Sequence, residues 1–219
     1  MPSASLRPRP RVTPPRAPRG ARLSSEQRQT GIVAAVLALA RERGPDAITT
    51  QAIAERIGVT QGAIFRHFPD KEAIWLAVFS WVRLALGEVL DAAMRAGDSP
   101  LGKIERAFHA HVAFVAANPG VPRVLFHELQ YLGDSPVGRE VRAMINAYRD
   151  RLALLFRQAK AAGELPRSLD ARIAPIVLIG AVQSLVIQAS IAGDERGMEA
   201  SARKVFPLLL DGYRGARSR

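Results

Sequence analysis

Eight polar side chains within one short stretch could recognise a polyanion. Thr49, Thr50 and Gln51 open it, Thr60 and Gln61 follow its centre, and Arg66, His67 and Lys71 close it. None of these types makes a covalent intermediate at this spacing; all of them donate or accept hydrogen bonds. Hydroxyls at a helix start suit a phosphate, because the first N–H groups of a helix lack partners. A side-chain amide such as that of Gln61 can pair bidentately with adenine. Arg66 could read guanine or bind a phosphate, His67 and Lys71 could each donate to a phosphate, and Gln51 is a second candidate reader.

The elements that must hold these groups are legible from apolar spacing. Residues 49–68 read TTQAIAERIGVTQGAIFRHF. Ile53, Ile57, Val59, Ile64 and Phe68 fit two short helices packed at an angle, with small Ala54 at their crossing. Gly58 falls where the chain must turn, and Thr60 is a good N-cap for the second helix. Two helices joined by a short Gly-containing turn predict a helix-turn-helix, with Gln61 and Gly62 at the start of its second helix facing base edges. Gly62 allows close backbone approach. A helical hairpin inside a larger core is the alternative.

The longer run TTQAIAERIGVTQGAIFRHFPDKEAIWLAVF resembles the N-terminal domain of TetR-family transcriptional regulators. The matching features are Thr49-Thr50, the Ala-x-x-x-Gly pattern from Ala54 to Gly58, the pair Ile64-Phe65, His67-Phe68 and Lys71-Glu72, over about 50 residues without gaps. Phe65 stands where the family often has a Tyr whose hydroxyl meets a phosphate, and Ala63 where it often has Thr. The resemblance implies phosphate contact by His67 and a helical body that holds a small inducer. It also implies a repressor whose heads move when that inducer binds.

Composition agrees with an all-α fold. Ala, Leu and Arg dominate and few apolar residues alternate with period two. The absence of Cys excludes disulfides, thiolate zinc sites and cysteine nucleophiles, and suits a reducing cytoplasm. Net charge is +11, which favours a polyanion. Residues 1–22 hold Arg7, Arg9, Arg11, Arg16, Arg19 and Arg22 with no acid, whereas residues 23–80 carry six basic and six acidic side chains. The first 22 residues read as a disordered Arg/Pro-rich arm: a solvated tail, or one that adds DNA contacts. They lack the apolar stretch of a signal peptide. The run from Ile173 to Ala192 is long enough to test as a membrane span, but Pro175, Gln183 and Gln188 favour a soluble core helix.

The expected organisation is a helix-turn-helix domain over 23–70, a connecting helix over 71–96, and a ligand-binding and dimerisation domain over 97–219, about nine helices in all. Helices are expected at 24–43, 70–96, 100–117, 121–131, 136–162, 169–192 and 195–213 besides the motif's own pair. Pro207 should kink the last one or start a shorter piece. One recognition helix makes too few contacts for a specific site, so a homodimer through the last two helices is expected to read a pseudo-palindrome in double-stranded DNA. Candidate lining for a small-molecule effector is Phe108, His111, Phe114, Leu125, Phe126, Tyr148, Phe156 and Gln183, a set that an ordinary core would equally use. His109 and His111 project about 200° apart on a helix, so with His127 they make a poor metal site. No catalytic constellation, metal or cofactor is expected. The alternative class is an architectural, nucleoid-type DNA binder without an inducer. Gln61→Ala should cost about 1–3 kcal/mol on a specific duplex and relax one position, while Lys71→Ala should weaken all duplexes alike. Equal losses on specific and random DNA for Gln61→Ala would contradict this.

Overall fold

The computed structural model describes residues 24–95, 99–131, 133–195 and 197–215. These residues form nine α-helices, one 3-10 turn and no strand. In chain order they are α1 (Ser25–Arg43), the 3-10 turn (Pro45–Ala47), α2 (Thr50–Ile57), α3 (Gln61–Phe65), α4 (Lys71–Arg95), α5 (Pro100–Ala117), α6 (Gly120–Gln130), α7 (Pro136–Ala161), α8 (Ala174–Ala192) and α9 (Met198–Arg214). The all-helical expectation holds.

Local chemistry places most helix starts. The Ser24 hydroxyl accepts the Gln27 N–H while the Gln27 side chain accepts the Ser24 N–H, a complete capping box for α1. Asp70 caps α4 by accepting the Ala73 N–H at 2.8 Å. One sequence expectation is corrected, and one of two alternatives falls away. The helix expected from 169 begins at Ala174, because the Asp170 carboxylate takes the Arg172 N–H at 2.8 Å and holds a turn there. Pro207 lies inside α9, which continues from Met198 to Arg214 as one helix. The expected end of the fourth helix, Ala96, lies outside the described residues.

The chain forms two compact units. One gathers the described residues up to Leu84 with Asn118–Leu154; the other gathers Ala85–Ala117 with the described residues from Leu155 onward. In the first, Ile32, Val36, Leu39 and Ala40 of α1 are buried with Ile53 and Ala54 of α2, and with Ile64 and Phe68. Helix α6 lies against α1, and Gly120 makes this possible: a Cβ there would sit 2.0 Å from the Leu37 carbonyl oxygen. Further along α6, an Arg123 guanidinium nitrogen donates to the Arg41 carbonyl at 2.6 Å, and His127 Nε2 lies 2.8 Å from an Asp46 carboxylate oxygen. The His127 ring also stacks on Trp75, centroids 6.5 Å apart.

In the second unit α5 packs on α8 and α9. Ile104, Phe108, Phe114, Phe156, Leu178, Val182 and Phe206 are buried there. The Glu164 carboxylate closes the start of α5, accepting from the Ser99 hydroxyl and, at 2.7 Å, from the Leu101 N–H. The buried Tyr213 hydroxyl donates to the Ala174 carbonyl at 2.9 Å. Because a methyl group at residue 120 would meet backbone, Gly120→Ala should cost about 2–3 kcal/mol. A chemical denaturation midpoint equal to that of the parent chain would contradict the close approach.

Candidate nucleic-acid interface

The helix-turn-helix is assembled from backbone demands met residue by residue. Thr49 is extended, and its hydroxyl accepts the Ala52 N–H at 3.0 Å to begin α2. Gly58 ends that helix at φ 68°, ψ 39°, a left-handed conformation that costs glycine little. The Val59 N–H bonds the Ala54 carbonyl at 3.0 Å and the Gly58 N–H bonds the Glu55 carbonyl at 3.2 Å, together a Schellman closure. Thr60 then starts α3, its hydroxyl accepting the Ala63 N–H at 3.3 Å. With Ile53, Ala54, Ile64 and Phe68 buried, Thr49, Gln51, Thr60, Gln61, Gly62 and Arg66 are left exposed, and Thr50 and His67 half-buried. Lys71 is exposed at the start of α4.

Some of these candidates are brought together. The Gln61 amide nitrogen donates to the Thr50 hydroxyl at 2.6 Å, which joins the start of α3 to the start of α2. The bond uses one of the amide's two N–H groups. The other N–H and the carbonyl oxygen are what bidentate adenine pairing requires. Gln51 is engaged differently: its amide donates to Glu55 on its own helix at 2.8 Å. His67 Nδ1 lies 3.3 Å from the Ser25 hydroxyl, so the start of α1 joins the phosphate-contact candidate. Sequence reasoning missed Ser25, and also the two-pronged contact of Arg56 with Glu42 at 2.7 and 2.6 Å. That contact holds the Glu42 carboxyl below its usual range and links α1 to α2. Neither pairing has a local signal, since each partner lies on a different element.

The ligand candidates divide between the units. Phe108, His111, Phe114, Phe156 and Gln183 belong to the second; Leu125, Phe126 and Tyr148 belong to the first. Phe108 packs against Phe206 at 5.5 Å between centroids, and Phe156 meets Tyr213 edge-on at 5.2 Å. Phe206 and Tyr213 were not among the candidates, because aromatic spacing on α9 gives no sign of what it covers. Burial lowers the His111 pKa to about 4, so that ring is neutral at pH 7, and burial raises that of the Tyr148 phenol. His109 sits edge-on to Phe108 and tilted against Phe206, and burial pushes its pKa down too. His127 is occupied with Asp46 and Trp75.

Comparison with known proteins adds a family. Residues 32–78 match the model of bacterial regulatory proteins of the tetR family, and residues 97–187 match the tetracyclin repressor-like C-terminal domain. The nucleoid occlusion factor SlmA of Haemophilus ducreyi is 27% identical over 135 residues, 61% of this chain and 64% of that protein. The chain thus spans under two thirds of the length of that relative. The fatty acid degradation regulator FadR from Bacillus halodurans has the same fold, with TM-score 0.74 at 21% identity over 88% of this chain and 97% of that one. The FadR of Bacillus subtilis, solved in complex with stearoyl-CoA, gives TM-score 0.71 at 19% identity, covering 83% of this chain and 97% of that one.

Around Gly62 a Cβ would meet nothing within 4 Å, so its lack of a side chain serves no contact inside the chain. Gly62→Ala should leave the thermal midpoint equal or raised, since alanine favours the helix by up to about 1 kcal/mol. The same change should reduce affinity for a specific duplex. Unchanged DNA affinity would remove Gly62 from the interface.

Proposed function

The chain belongs to the TetR family of bacterial regulatory proteins, and from that premise we propose that it is a dimeric, sequence-specific DNA-binding repressor. In this reading a small apolar or amphipathic ligand releases it from a pseudo-palindromic operator. The observation that carries the DNA-binding half is the Gln61–Thr50 hydrogen bond. It gives an exposed amide a fixed direction at the start of α3. Thr49, Thr50, Thr60, His67 and Lys71 supply positioning contacts to phosphate, Arg66 meets either a phosphate or a guanine, and Gln61 supplies the reading, with Gln51 in a lesser part. Residues 23–70 act as the head, 71–96 as the connecting helix and 97–219 as the body, with 1–22 as an arm.

An apolar surface on α8 and α9 supports the dimer. Ile176, Val177, Ile187 and Ile191 of α8 are exposed, with Ile173 just before it and Leu208 of α9. Along α8 they recur at helical spacing, with Gly180 and Ser184 between them. A monomer seldom leaves such a stripe in water. Helices α4 and α8 are each long and apolar enough to cross a membrane. A dimer seam on α8 accounts for its exposed apolar residues without one, and fits a cytoplasmic location. For the ligand, Phe108, His111, Phe114 and Phe156 with Gln183, which share the second unit, remain the proposed lining. The reading uses no cofactor and no catalysis. The stearoyl-CoA held by the Bacillus subtilis FadR supports long-chain acyl thioesters as the first class to try.

A second reading is favoured by the relatives named as nucleoid occlusion factors: a DNA binder of the nucleoid with no inducer. Selection of bound duplexes from a random pool separates the two when repeated with acyl thioesters. Enrichment of one pseudo-palindrome and its release by an apolar ligand supports the repressor; enrichment without release by any ligand class supports the second reading. For the dimer, Ile191→Glu should shift the chain to monomer in sedimentation equilibrium and weaken operator binding at least about tenfold, because one head loses its partner's contacts. A monomeric parent chain at micromolar concentration would contradict it.

A further inference from the structure

Three apolar residues close the recognition element, and they differ in where they face. Ile64 and Phe68 are buried, at 0% and 5% exposure, and they fix α3 against its neighbours. Phe65, between them, is 45% exposed. It lies four residues after Gln61, so the two side chains share one face of the helix. That face also carries no side chain at Gly62, next to Gln61. A large apolar ring left in water beside a reading amide is an unfavourable placement unless a partner covers it.

A phenyl ring offers a phosphate no hydrogen bond. In the major groove, the apolar feature that distinguishes one base from the others is the 5-methyl group of thymine. We propose that Phe65 is a second specificity-determining residue, reading a thymine methyl in the base pair next to the one addressed by Gln61. This deepens the DNA-binding reading and rests on it. Gln61 would select through hydrogen bonds, and Phe65 through burial of a methyl group, so the same helix face would recognise adjacent A·T pairs by two different kinds of contact.

The test uses the full chain and the duplex it selects from a random pool. Each thymine is replaced in turn by deoxyuridine, which removes only the methyl group. The expected result is one thymine per half-site whose replacement weakens binding about fourfold, the worth of one buried methyl. Phe65→Ala should bind the thymine and uracil duplexes equally while keeping the base preference that depends on Gln61. Phe65→Leu, which retains an apolar tip and leaves the buried neighbours untouched, should keep part of the methyl discrimination. Insensitivity of the parent chain to every uracil substitution would overturn the proposal. So would a Phe65→Ala chain that still discriminates thymine from uracil. Failure to enrich any duplex would show earlier, in the selection itself, and would overturn the DNA-binding reading with it.

Discussion

The left-handed turn at Gly58 sets the direction in which Gln61, the proposed reader, leaves the chain. Two backbone bonds, from Gly58 to Glu55 and from Val59 to Ala54, close α2 on the spot. Two residues later the Thr60 hydroxyl opens α3. There is no slack between the end of one helix and the start of the next. A side chain with a Cβ at position 58 would have to adopt the same φ of 68° at a cost of roughly 1–2 kcal/mol. The turn delivers Gln61 within hydrogen-bonding reach of Thr50. That bond restricts the amide in the free chain, and on the proposed reading it lowers the ordering cost that DNA binding must otherwise meet.

The parts of this fold set by neighbouring residues were legible in the sequence. Ser24, Thr49, Thr60 and Asp70 are caps whose donors lie three residues away, so the chain's own spelling locates them. The start of α8 was not, because Asp170 could have capped a helix but instead held a turn, a choice made by local geometry. The approach of α6 to α1 was also illegible. Gly120 shows its purpose only when the Leu37 carbonyl is seen beside it, far away in sequence. The candidate site divides in the same way. Thr49, Thr60 and Gln61 are reached from caps and spacing. The outward placement of Phe65 is not, since a helix of five residues is too short for periodicity to assign its faces.

The aromatic residues of the body teach a related lesson. Spacing on α5 and α7 identifies which face is apolar, and Phe108, Phe114 and Phe156 are indeed buried. It does not say what lies opposite. Phe206 and Tyr213 cover two of those rings, and both come from the last helix. On α8 the apolar residues outnumber what the unit itself can bury, so Ile176, Val177, Ile187 and Ile191 remain in water. A sequence apolar on nearly every side therefore serves two surfaces, one facing inward and one outward.

Recognition, in this picture, depends on Gln61 acting as a reader because Thr50 holds it. A double-mutant cycle measures this most directly, with Thr50→Val and Gln61→Ala, alone and together, titrated against the selected duplex and a scrambled one. The predicted result is a coupling of about 1 kcal/mol or more on the selected duplex and none on the scrambled one. Losses that simply add on both duplexes would contradict it, and would leave the hydrogen bond a feature of the fold with no part in recognition.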